Sequence, residues 1–66
     1  MNKVEFQHDT GKYTLLGLTK EVPSHWKGKK VSIAGKKYDT VMVYDLPNHI
    51  AVVGSGKFIN QEVVFI

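Results

Sequence analysis

The sequence predicts an all-β fold, a small antiparallel sheet or partly open barrel of five to six short strands. Two observations carry that prediction. Residues 38–44, 49–53 and 58–66 are runs rich in Val, Ile, Phe and Tyr, which suit a pleated, half-buried surface. The breaks between them hold Pro47, Asn48, Gly54, Ser55 and Gly56, residues that favour turns for steric and hydrogen-bonding reasons. The simplest arrangement of three such runs is a meander. In the first run Tyr38, Thr40, Met42 and Tyr44 alternate with Asp39, Val41, Val43 and Asp45, so both faces are apolar near the middle. That pattern is expected of a central strand covered on both sides.

Upstream, Val4 and Phe6 alternate with Lys3, Glu5 and Gln7, the pattern of a short strand over 4–7 at a sheet edge. Residues 8–11 form a turn. A strand resumes over 13–18, with Tyr13, Leu15 and Gly17 on one face and Thr14, Leu16 and Leu18 on the other. Gly17 inside that run marks a bulge or a close backbone approach. Period two stops over 21–28, where Pro23, Ser24, His25 and Trp26, closed by Gly28, read as one short helical turn near 23–27. Residues 30–33 and 36 onward then form a tight hairpin around Ala34 and Gly35. With those two as the loop, Ile33 pairs with Lys36, Ser32 with Lys37, Val31 with Tyr38 and Lys30 with Asp39. Val31 and Tyr38 then face inward, and Lys30, Ser32, Lys37 and Asp39 face outward. Further turns are expected at 45–48, where Pro47 sets φ at the second position, and as a hairpin turn at 54–57. Strand count and spacing resemble small barrels of the SH3-like or OB-like kind, a likeness of pattern that no motif carries.

Sixty-six residues, 42% hydrophobic and 23% charged, make a single folded domain over 1–66. A chain of this size buries only about 60% of its unfolded surface and keeps a stability of roughly 3–5 kcal/mol. The absence of Cys excludes disulfides and thiolate zinc sites, so a homo-oligomer is the expected source of further burial. Residues 63–66 are wholly apolar and need a cover, either strand 4–7 of the same chain or, the favoured arrangement, the same strand of a second copy. Residues 1–5 hold no apolar run of signal-peptide length, and no segment approaches the ~20 apolar residues of a membrane span. The chain is therefore expected to be soluble and cytoplasmic, without membrane contact.

Charge is uneven. Six lysines against one acid give +5 between residues 20 and 37, and three lysines against five acids give −2 elsewhere. With no Arg among the nine basic residues, the chain lacks the planar fork that reads guanine edges, which disfavours sequence-specific duplex recognition. Lysine nevertheless attracts phosphate without reading bases, and aromatic rings stack on nucleobases. Lys27, Lys29, Lys30, Lys36 and Lys37, with Trp26, Tyr38 and the turn residue Lys57, are thus the candidate ligand-binding set for a nucleotide or nucleic acid. The competing reading of the lysines is a solvated face that keeps a small protein soluble. Trp26 has two readings as well: a plug over one open end of the barrel, favoured because a small core rarely spares its largest side chain, or a stacking platform.

No catalytic constellation is visible. Segment 54–57 lacks the glycine spacing and Lys-Ser/Thr ending of a phosphate loop and precedes a strand rather than a helix. His8, His25 and His49 show no metal-ligand spacing, so neither metal nor cofactor is expected. Asp39 and Asp45, six apart on one strand, lie roughly 20 Å from each other. Ser24 beside His25, and Ser55 in its turn, lack a base and an orienting group. The expected function is non-catalytic occupancy: capture of an anionic, phosphate-bearing ligand, or docking on and inhibiting a host protein through a sheet edge or apolar patch. A chain this small would suit a phage or mobile-element accessory protein.

Overall fold

The computed structural model describes residues 1–24, 26, 30–43 and 46–66, with Met42 described by its backbone alone. It holds six strands, β1 (Val4–Asp9), β2 (Tyr13–Leu18), β3 (Lys30–Ile33), β4 (Lys36–Met42), β5 (His49–Val53) and β6 (Val63–Phe65). They form one antiparallel sheet in the order β1-β2-β5-β4-β3-β6. The architecture is all-β, a six-stranded sheet rolled towards a barrel without closing. No helix occurs among the described residues: the expected helical turn reduces to one hydrogen-bonded turn in which Trp26 N–H donates to Pro23 O at 3.2 Å. His25 and Lys27, also assigned to that turn, lie outside the described residues.

The meander expected from the C-terminal half is half right. β4 and β5 are neighbours, but β5 turns to β2 on its other side and β6 pairs with β3. Residues 58–66 are consequently not one strand: Phe58 to Gln61 make a turn, closed by Gln61 N–H on Phe58 O, and only Val63–Phe65 enter the sheet. Segment 54–57 is likewise part of a connection crossing from β5 to β6 and not a hairpin turn. β1 runs two residues further than expected, so the first turn lies at 10–12, with Gly11 N–H on Asp9 Oδ1.

The β3–β4 hairpin has the expected register in all four pairs. Ala34 and Gly35 take φ of 54° and 80°, the two positive values a type I′ turn requires. An L-residue with a Cβ pays roughly 1–2 kcal/mol in that region, and Ala34 is exposed, so nothing in its packing offsets the strain. Ala34→Asn is expected to raise stability by about 0.5–1 kcal/mol, read as a higher urea midpoint at unchanged slope.

Inward-pointing Val4, Leu16, Leu18, Val31, Ile33, Ile50, Val52 and Val63 are all buried, as alternation along each strand demands. Two aromatics seal this core. Trp26, 7% exposed, meets Phe65 edge-on at 5.0 Å, and its Nε1–H donates to Lys30 O at 3.0 Å. Phe58, 2% exposed, lies edge-on to Tyr38 at 5.2 Å. By the register, β2 and β4 end where β3 and β5 begin, which is the end Trp26 covers, while Phe58 follows β5 at the other.

The open edge is bridged by side-chain chemistry. Gln7 points inward on β1, where its Nε2–H donates to Gly56 O at 2.8 Å and its Oε1 accepts from Phe58 N–H at 2.7 Å. One carboxamide thus does the work of a backbone rung towards the crossing connection. Thr14, buried, anchors the connection's start by donating from Oγ1 to Gly54 O at 2.7 Å. Residues 2–4 form the rest of the seam: Val4 N–H donates to Gln61 O, Asn60 N–H to Val4 O and Val63 N–H to Asn2 O, around a bridge between Lys3 and Glu62. Gln7→Ala is expected to cost about 1–3 kcal/mol in chemical denaturation, because it leaves the Phe58 N–H without its acceptor.

Candidate docking face

The described lysines of the candidate set do not all lie on one surface. Lys30 and Lys37 lie on the outer side of the β3–β4 hairpin, but Lys36, paired with Ile33, has the opposite parity and sits with its Nζ 5.6 Å from the Tyr38 ring centre. Lys30 lies 3.7 Å from Asp39, both exposed, a contact worth about 0–1 kcal/mol that places an acid beside one of the candidate cations. Lys57 belongs to the crossing connection beyond β5. Lys27 and Lys29 lie outside the described residues. The expected aromatic half of the set is inside the fold, Trp26 as the plug and Tyr38 half-buried against Phe58. Lys30 and Lys37 therefore keep the outward positions expected of them, while Lys36 falls on the other side of the hairpin.

A different surface is built on the outside of β1, β2, β5 and β4. Register sets its residues in three rows across the strands. The first is Phe6, Gly17 and His49. The second is His8, Leu15, Ala51 and Val41, and the third is Tyr13 and Val53. Phe6 is 48% exposed, Tyr13 40%, Val41 44% and Val53 47%, with Leu15 and Ala51 half-buried between them. Val41 corrects the expectation for 38–44: β4 is central in hydrogen bonding, between β5 and β3, yet its outer face is open to solvent.

Gly17 shapes the first row. A Cβ there would come within 3.0 Å of Phe6 Cβ and 3.3 Å of His49 Nε2, so only glycine lets both rings lean over the strand, their centres 6.4 Å apart. The β1 bulge between Val4 and Phe6 lies opposite, which re-aims Phe6 outward. His49 is held in turn, because Asn48 Nδ2–H donates to Leu18 O at 3.2 Å and thereby points Oδ1 at His49 Nδ1, 2.9 Å away. Nδ1 carries the hydrogen in that contact.

None of these residues is Lys, Asp or Glu; Lys37 and Asp39, which share the outward parity of Val41 on β4, border the face. At about 150–250 Å² per aromatic side chain, half exposure of Phe6 and Tyr13 alone leaves roughly 150–250 Å² of ring surface in water. With Val41 and Val53 the face reaches the ~300–600 Å² of the largest apolar patch on a typical monomer, a size that is often functional. Scattered apolar residues on a surface need no explanation; these are adjacent by register. For Val41 the signal is the apolar residues at both parities of 38–44, a pattern that a buried and an exposed second face share.

Among the described residues no three His, Cys, Asp or Glu side chains gather to hold a metal ion, and no helix is long and apolar enough to cross a membrane. No protein-family model matches the chain, and neither the curated proteins nor the solved structures give a match.

Proposed function

We propose that the chain is a non-catalytic module that acts by occupancy, docking on a protein partner through the apolar outer face of β1, β2, β5 and the Val41 end of β4. The observation that carries this reading is the contiguity of Phe6, Tyr13, Val41 and Val53 around Leu15 and Ala51 on one outer face. Covering ~300 Å² of apolar surface is worth about 7 kcal/mol at ~25 cal/mol per Å². Association itself costs some 4–15 kcal/mol, so the flat face needs an anchor or a polar rim before binding becomes tight. Capture of a nucleotide or nucleic acid has less support, since the rings that would stack are engaged in the core and the lysines are divided between two sides of a hairpin.

Affinity capture with three forms of the chain tests the proposal. A protein retained by the wild type, lost with Val41→Glu plus Val53→Glu, and kept with Lys36→Glu plus Lys37→Glu is the expected result. Both glutamates enter exposed positions, so the fold is retained and a thermal melt checks it. Capture that survives the face variant and fails in the lysine variant, or a nucleotide that co-purifies only with intact lysines, would overturn it.

A further inference from the structure

Beside the docking face, at the end of the barrel that Trp26 covers, the connection from β2 to β3 faces the connection from β4 to β5 across a cleft of about 230 Å³. Val22, Pro23 and Trp26 line one side; Val43, Leu46 and Pro47 line the other, with Ser24 and His49 completing the described wall. We infer that this cleft is the anchor pocket of the docking site and receives one uncharged apolar side chain presented by the partner protein. The inference rests on the docking reading above and specifies the chemistry of the partner.

Three observations define the occupant. The first is size, because 230 Å³ is below the ~300–1,000 Å³ of small-molecule sites and suits a single side chain of leucine or phenylalanine size. The second is chemistry. Four polar groups of the wall already have partners: Val22 N–H donates to Pro47 O, His49 N–H to Leu46 O, Trp26 Nε1–H to Lys30 O, and His49 Nδ1–H to Asn48 Oδ1. Among the described lining residues none carries a formal charge and six are apolar, which matches an apolar group. The third is position. His49 lines the cleft and also packs its ring towards Phe6 in the first row of the face, so pocket and face are continuous. A flat apolar face with a deeper pocket at its margin is the arrangement in which one buried anchor carries most of the binding energy. Pro23 and Pro47, one in each wall, fix φ at those two positions.

The test is an amide and indole N–H chemical-shift titration of the intact chain with N-acetyl-leucine amide and N-acetyl-phenylalanine amide, beside N-acetyl-lysine amide and N-acetyl-aspartate amide. Saturable shifts at the Trp26 indole and at Val22 are expected with the two apolar probes only, with intermolecular nuclear Overhauser contacts from probe to Trp26 ring. Leu46→Arg, a change at an exposed position, is expected to weaken the apolar probes at least tenfold. Apolar probes without saturable shifts, charged probes that bind as well, or undiminished binding to Leu46→Arg would each overturn the inference. Shifts at the same residues on raising the protein concentration without probe would assign the pocket to a second copy and overturn it too. The docking reading fails separately. Partner capture that survives Val41→Glu plus Val53→Glu refutes the face, while probe binding by that variant reports on the pocket alone.

Discussion

Trp26→Ala is expected to destabilise the fold by about 3–5 kcal/mol, the cost of removing a large core aromatic and leaving its cavity. The side chain is 7% exposed, lies edge-on to Phe65 and ties the start of β3 through its hydrogen bond to Lys30 O. Truncation removes all three contributions at once. A chain of this size has roughly 3–5 kcal/mol in total, so the variant should be largely unfolded at 37 °C and show little or no folded baseline in urea. A midpoint like that of the wild type would mean that the indole contributes surface, not core, and would restore it as a stacking platform.

Phe58→Ala should cost a comparable ~3–5 kcal/mol, and by a different route. Phe58 is 2% exposed in a connection that enters no strand, and it is positioned by Gln7 from β1 and by the Tyr38 ring. Its removal empties the end of the barrel opposite Trp26. The Gln7 contact uses the Phe58 backbone, so it remains available to the variant, and the loss should be mostly cavity and transfer energy. Combining Phe58→Ala with Gln7→Ala is therefore expected to be non-additive, since both act on one connection. Additive losses, or a Phe58→Ala cost below about 1 kcal/mol, would show that the crossing connection does not seal the core.

The local parts of this fold were legible in the sequence and the non-local parts were not. A two-residue loop at Ala34 and Gly35 leaves one register for β3 and β4, so four pairs followed from turn chemistry. Burial of Trp26 followed from its size in so short a chain. Pairing of β6 with β3 depends instead on contacts 30 to 34 residues apart, and the apolar run that announces β6 carries no record of its neighbour. Phe58 misled because it continues the apolar pattern of the last strand while serving as a plug. Lys36 and Lys37 are consecutive on β4 and point to opposite sides, as strand alternation requires, so nearness in sequence is not nearness on a sheet. Val41 misled in the other direction, since an apolar residue on the second face of a strand reads equally as buried or as an exposed docking surface.

The central claim, that the chain works through its apolar face and not through its lysines, is tested most directly by the salt dependence of its binding to the captured partner. Between about 50 and 200 mM salt, contact through an apolar face should change affinity by less than about threefold, because burial of apolar surface and not neutralisation of charge supplies the affinity. A lysine footprint on several phosphates would lose on the order of a thousandfold or more over the same range. A steep, linear fall of log affinity with log salt would contradict the account; a nearly flat line, abolished together with binding in Val41→Glu plus Val53→Glu, is the result it predicts.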